Sequence, residues 1–365
     1  MIRKLKKSSD KIFLTAVFGL LCFGLVALTS ASAPIGYEKF GDAYFFIKNQ
    51  ILKGVIPGII LLVIFSKLKY DFWYKSSFLF YIFSLFLLVL VFIPGIGMSL
   101  KGANSWISLG VFNFQPTELA KLGVIVIMSY LLSVKSNELK DWKTGLLPIL
   151  AILSPAILLI LAQPDLGTLS ILLVIIFVML YLAKIPWKQL VVLGLTGMVC
   201  FSLLLFAMPQ KMQRFTTFLH PELDPKGVGY HINQAFLTVG SGGMWGVGIG
   251  HSRQKFQYLP EVSADSIYAV IAEEVGFIFS SFLVVLILYI GLRGMRIAKN
   301  APDDFSRLLV SGIIVWIMWQ SFLNIGAIIG LMPLTGVPLP FISHGGSSMM
   351  VLLASIGIVA SVSKN

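Results

Sequence analysis

The sequence predicts an all-α polytopic membrane protein of about ten spanning helices, with both termini cytoplasmic and no soluble domain large enough to fold alone. Three observations predict it. Of 365 residues, 57% are hydrophobic and only 12% are charged, where a soluble chain would have about a quarter charged. The apolar residues fall in long runs separated by short polar segments. The Lys and Arg residues behind the net charge of +12 gather in alternate segments, which is the positive-inside pattern. A nucleic-acid-binding protein would carry its cations as one soluble stripe with interleaved aromatics; that class is excluded.

The first run, residues 12–29, follows a basic head of Arg3, Lys4, Lys6, Lys7 and Lys11. With Ala31-Ser32-Ala33 behind it, this segment resembles a cleavable signal peptide. Pro34 follows the small triplet and the run is long enough to span, so a retained first helix is expected. Runs at 51–65 and 78–93 bracket Lys67, Lys69 and Lys75. Runs at 119–132 and 146–162 bracket Lys135, Lys140 and Lys143, and runs at 169–183 and 190–208 bracket Lys184 and Lys188. Runs at 267–292 and 308–331 bracket Arg293, Arg296, Lys299 and Arg307, and 349–362 closes the set. Cys22 and Cys200 sit inside apolar runs without zinc or disulfide spacing and are expected to be buried as small hydrophobes. His220, His231, His251 and His344 form no local metal-ligand pattern.

Two outward segments interrupt the runs. Residues 209–264 are rich in glycine yet contain Phe236, Trp245 and Ile249, a composition that packs over the bundle rather than staying disordered. The chain therefore reads as one integral membrane domain, 1–365, with 209–264 as its large extracytoplasmic loop between spans seven and eight. Residues 332–346 combine Pro333, Pro338 and Pro340 with Gly345-Gly346, a stiff stretch that ends at a helix start.

An ionisable side chain within or at the edge of a span costs about 2.5–3.5 kcal/mol and is a functional candidate. Glu118 and Lys121 share a helical face and can pair, and a structural ion pair is the better reading. Asp165, between Pro164 and Leu166-Gly167, suits capping at least as well as chemistry. Glu273 and Glu274 suit helix packing or a cavity floor. Asp265 stands at the outer entry to the eighth span, after Arg253 and Lys255 and the glycines. It can cap the helix, or it can take a proton from a hydroxyl beside an anionic lipid head group.

The motifs are specific. YEKFGD at 37–42, GANSWI at 102–107, FQPTELAK at 114–121 and QPDLGT at 163–168 precede GSGG at 240–243 and QKFQYLPE at 254–261. Asp265, AEE at 272–274, GLMPLTGVPLPFIS at 330–343 and GGSS at 345–348 follow. In this order they resemble the SEDS family (shape, elongation, division and sporulation) over nearly the whole chain, most nearly its division-type branch, with rod-shape and sporulation-type branches open. The resemblance implies a peptidoglycan glycosyltransferase that polymerises lipid II outside the bacterial cytoplasmic membrane, at the division septum. Motif transfer makes Asp265 the general base that deprotonates the acceptor GlcNAc 4-hydroxyl as its oxygen attacks the donor's anomeric carbon. Undecaprenyl pyrophosphate leaves and a β-1,4 linkage forms.

For that reaction Arg253, Lys255, Arg214 and Lys121 are the candidate cations, Glu118, Asp165, Ser343 and His344 further head-group contacts, and Glu273, Glu274 and Gln163 cavity residues. The implied partners are lipid II, a class B penicillin-binding protein transpeptidase, other divisome membrane proteins and membrane lipids. A divalent cation, Mg or Mn, carried on the pyrophosphate is left open; no protein ligand cluster for one is visible. Two departures concern the acceptor site: relatives usually carry His-Thr where Ser263-Ala264 stand, and Tyr where His344 stands. A lipid II flippase and a non-catalytic division scaffold stay open as alternatives.

Overall fold

The structure, a computed structural model, describes residues 9–100, 103–108, 110 and 113–364. Arg3, Lys4, Lys6, Lys7 and Gly102, named above, lie outside the described residues. Eight helices are long and apolar enough to cross a membrane: α1 (Lys11–Phe40), α2 (Phe45–Lys67), α3 (Tyr70–Leu90), α4 (Pro116–Val134), α5 (Trp142–Ala162), α7 (Trp187–Ala207), α10 (Ile267–Lys299) and α11 (Asp304–Ile328). Two shorter apolar helices, α6 (Leu166–Leu182) and α12 (Gly346–Val362), complete ten spans among the described residues. The extracytoplasmic loop adds α8 (Pro209–Leu219) and α9 (Val228–Ser241).

Local chemistry sets the helix ends. Asp10 caps α1 by accepting the Phe13 N–H at 3.0 Å, and Gly41, left-handed at φ 69°, ends it. α1 runs unbroken through Ala31-Ser32-Ala33 and Pro34. Asp303 caps α11 through the Ser306 N–H at 2.7 Å. The N–H of Asp10 reaches Ser363 Oγ at 3.1 Å, and Arg293 pairs with Asp10 at 2.8 Å. Both ends of the described chain therefore share one face, as an even number of spans requires, and alternation of the spans puts the lysine-rich and arginine-rich connections on that face.

The centre of the bundle is α4, α6, α11 and α12, whereas α7 is exposed along nearly its whole length. Cys22 and Cys200 are exposed rather than buried. The correction has a simple cause: a spanning helix is apolar all round, so an apolar run does not tell its lipid face from its packed face. A small antiparallel sheet, β1 (Gly97–Leu100), β2 (Ala103–Ser108) and β3 (Asn113–Phe114), fills the outward segment between α3 and α4. Ser347 at the start of α12 tethers it, accepting the Gln115 N–H at 3.1 Å and donating to Asn113 O at 3.3 Å.

The glycine-rich part of the loop is threaded into a break in α10. At Gly276 the backbone leaves helical geometry (φ 75°, ψ 178°), which frees carbonyls and amides on both sides. Val247 and Gly248 donate to Glu273 O and Glu274 O at 3.0 and 2.9 Å, and Phe277 donates to Gly243 O at 2.9 Å. Irregular backbone at membrane depth must find partners in protein, and here loop and broken helix supply them to each other. An added Cβ on Gly276 would lie 2.3 Å from Gly246 N. Gly276→Ala is expected to lower stability by about 1–3 kcal/mol, read as earlier thermal unfolding in detergent. Gly197→Ala, on exposed α7 with open space around it, is expected to leave the transition in place or raise it.

Candidate active site

Asp265 lies in the turn just before α10, at the outer mouth of the bundle. Ser266 occupies the helix cap position, so capping does not explain the carboxylate. Three successive carbonyls are held here. Ser263 O accepts the His344 N–H at 2.8 Å, Ala264 O accepts the Ser343 hydroxyl at 2.5 Å, and Asp265 O accepts from Asn324 Nδ2 at 2.9 Å. The first two donors belong to the closing outward segment, and Asn324 is on α11. The same Asn324 amide donates to Val337 O at 2.8 Å, and Gln320, one turn earlier, donates to Pro338 O at 2.9 Å. The closing segment is thus laid between α11 and residues 263–265. Asp265 Oδ2 faces Gly336, where an added Cβ would lie 3.8 Å away. Around them Asp265, Asn324, Ala327, Ile328, Leu334, Thr335, Gly336 and Val337 close into a crevice too narrow for a water molecule. Asn324 Oδ1 is buried there without a hydrogen-bond partner among the described residues.

The other candidates divide by role. Lys121 and Glu118 are buried and paired at 2.9 Å; Lys121 also meets Gln320 Oε1 at 2.9 Å and lies 4.8 Å from the Trp316 ring centroid. Lys255 and Glu274 are buried and paired at 2.8 Å, with Ser30 Oγ 2.7 Å from Glu274. Lys121 and Lys255, both candidate head-group cations, each hold a carboxylate, because inside the bundle a cation is stable only with a partner. Glu118 gives Oε1 to its ion pair with Lys121, while its Oε2 is buried without a hydrogen-bond partner among the described residues. Glu273 accepts from the Ser252 hydroxyl and from the Arg253 N–H at 3.1 Å, so Glu273 and Glu274 fasten the loop, as packing residues would. Gln163 is buried and donates to Leu88 O at 3.3 Å. Ser343 works through its hydroxyl, which also accepts the Leu339 N–H at 2.8 Å.

Asp165 caps α6, its two oxygens accepting the Thr168 N–H at 3.0 Å and the Thr168 hydroxyl at 2.7 Å. That helix start abuts the closing segment: a Cβ on Gly167 would lie 3.0 Å from Thr335 O. Lys211, three residues before Arg214 on α8, stands within reach of the charges of both Arg214 and Asp165. Burial holds the Lys211 amine below its usual range, Arg214 adds to the shift, and Asp165 opposes it. Arg253 is exposed in the loop. His344 is brought down to about 4 by burial and then by the charge of Lys53, and its ring meets Phe46 edge-on with centroids 5.2 Å apart. The two departures noted above, Ser263-Ala264 and His344, meet in space, the His344 N–H donating to Ser263 O.

Lys211, Gln320, Asn324 and the His231–Ser266 contact at 2.6 Å were not singled out by sequence reasoning. Lys211 had a usable signal, the three-residue spacing from Arg214 on an amphipathic stretch. Gln320 and Asn324 had one too, as uncharged polar residues four apart in an apolar run.

The FtsW/RodA/SpoVE family model, described as "Cell cycle protein", matches residues 11–365. The chain belongs to this family. Among relatives, stage V sporulation protein E of Bacillus subtilis (strain 168) is 40% identical over 359 residues, covering 98% of each chain. The probable peptidoglycan glycosyltransferase FtsW of Geobacter sp. (strain M18) is 39% identical over 354 residues, covering 97% of this chain and 96% of its own. Two solved structures share the fold of this FtsW/RodA/SpoVE member. One chain of a complex described as "Structural coordination of polymerization and crosslinking by a peptidoglycan synthase complex" matches with TM-score 0.77, 27% identity and 97% coverage of both chains. Rod shape determining protein RodA of Thermus thermophilus matches with TM-score 0.72 and 26% identity, over 97% of this chain and 96% of that one.

Lys121→Met leaves Glu118 buried without its cation, and is expected to destabilise the protein by about 3–5 kcal/mol. Adding Glu118→Leu should recover much of the loss in the same detergent melting assay. Because His344 titrates lower when folded than when unfolded, the unfolded chain binds the extra proton between the two values and stability falls as pH drops through that window. The melting temperature is expected to fall from pH 7 toward pH 4, and to fall less in His344→Tyr.

Proposed function

We propose that this chain is a peptidoglycan glycosyltransferase that polymerises lipid II into β-1,4 glycan strands on the outer side of the cytoplasmic membrane, with Asp265 as general base. Family membership and the glycosyltransferase names of its FtsW relatives support the class. The observation that supports the mechanism is the placement of Asp265: a carboxylate at the outer mouth, on backbone pinned at three successive carbonyls, with Oδ2 beside Gly336 of the closing segment.

In the reaction, Asp265 takes the proton of the acceptor 4-hydroxyl while that oxygen bonds to the donor's anomeric carbon. The bond from that carbon to the diphosphate breaks, and undecaprenyl pyrophosphate leaves with the electron pair. Positioned cations lower the barrier by meeting the charge that develops on the diphosphate. Arg253, Arg214 and Lys211 are the outward cations that can do so, while Lys121 and Lys255 hold the walls. A divalent Mg or Mn ion would enter on the diphosphate; among the described residues no three His, Cys, Asp or Glu side chains gather to hold one.

The FtsW names of relatives support a septal role, and the likeness to a chain of a complex that coordinates polymerization and crosslinking supports a transpeptidase partner, here a class B penicillin-binding protein. Other divisome membrane proteins and surrounding lipids complete the proposed setting. A flippase would need mobile charge near mid-membrane, whereas Glu118 and Lys121 are locked together.

The test is lipid II polymerisation by the purified protein with its transpeptidase partner. Asp265→Asn is expected to reduce turnover by about 10²–10⁴-fold with an unchanged melting curve. Full polymerisation by the folded variant would remove Asp265 as the base, and head-group transfer across liposomes without polymer would favour transport.

A further inference from the structure

Gln50 sits near the outer end of α2, just before a π-turn over Ile51–Val55. It is fully buried, and a buried amide in a spanning helix is stable only if its polar atoms find partners. Both do, and both partners are backbone groups of the closing segment. Nε2 donates to Ser343 O at 3.2 Å, and Oε1 accepts the Gly345 N–H at 2.9 Å.

The amide therefore brackets His344. Within that bracket the two contacts to the base segment are made: the Ser343 hydroxyl to Ala264 O and the His344 N–H to Ser263 O. A glutamine serving only helix packing would bond its own helix or a neighbouring one. Gln50 instead spans two peptide units of an irregular segment whose other side carries Asp265. α2 also presses on this junction directly, since a Cβ on Gly346 would lie 3.2 Å from Lys53 O.

We infer that Gln50 is a positioning residue for the base: through the closing segment it fixes the backbone of residues 263–265, and with it the angle at which the Asp265 carboxylate meets the acceptor hydroxyl. This rests on the reading of Asp265 as the base. A displacement of about 1 Å in a reacting group costs about 10²-fold in rate, so loss of the bracket acts on turnover.

The experiment measures steady-state lipid II polymerisation by the full chain with its partner, for wild type, Gln50→Leu, Ser343→Ala, the double variant and Asp265→Asn. Gln50→Leu keeps nearly the same volume and removes both hydrogen bonds. The expected result is a kcat lowered by about 10- to 100-fold with KM within about twofold. The double variant should be no slower than the slower single one, because both changes open the same bracket. Wild-type kcat in folded Gln50→Leu, a loss carried by KM, or effects of the two changes that multiply would each overturn the inference. Should Gln50→Leu fail to fold, Ser343→Ala carries the same kcat-against-KM test by itself. A wild-type chain that makes no polymer, or an active Asp265→Asn, brings down the base reading and this inference with it. An inactive Asp265→Asn beside a fully active Gln50→Leu brings down this inference alone.

Discussion

The outer half of this protein depends on buried side-chain amides that satisfy irregular backbone. Residues 332–345 lie against the bundle without helix or strand to pair their peptide groups, so the buried ones must find partners in protein. Gln320 and Asn324 on α11 and Gln50 on α2 supply donors to Pro338 O, Val337 O and Ser343 O, and Gln50 also accepts from Gly345. A neutral amide suits this task because it offers donors and an acceptor without the desolvation of a charge. Everything that places Asp265 follows from that arrangement.

The second half of the site is organised by a different device. The glycine-rich stretch and the break in α10 complete each other's hydrogen bonds, and the carboxylates beside the break, Glu273 and Glu274, reach into the loop to hold Ser252, Arg253 and Lys255. Charge is used here as a fastener. Arg253 and the cations of α8 are among those left to the outward face, and Lys211 of α8 feels the charge of Asp165 at the capped start of α6.

Much of this was legible in the sequence. The ten spans, their sidedness and the outward position of Asp265 follow from apolar runs and alternating basic segments, because the bilayer imposes length and charge rules strong enough to read residue by residue. The pairing of Glu118 with Lys121 was legible from spacing alone. What was not legible depends on contacts between distant segments. Nothing near Lys255 announces that Glu274 will neutralise it, and nothing near Cys22 tells lipid from protein. The small sheet of β1, β2 and β3 was missed because its strands are short and bound to α12 from far along the chain. Gln50, Gln320 and Asn324 passed unnoticed because attention to cost inside the membrane fell on charges, while neutral amides carry the framework.

The interruption at Gly276 divides α10 into two rods of unequal length. The short outer rod begins at Ile267, directly behind the carboxylate, and the long inner rod runs on to Lys299. Stitched to the loop and to the segment before α12, the outer rod takes its bearings from the extracytoplasmic framework. Phe277 and Ile278, at the head of the inner rod, donate to Gly243 O and Met244 O at 2.9 and 3.3 Å, so the loop splints the joint from both sides and the two rods keep a single angle.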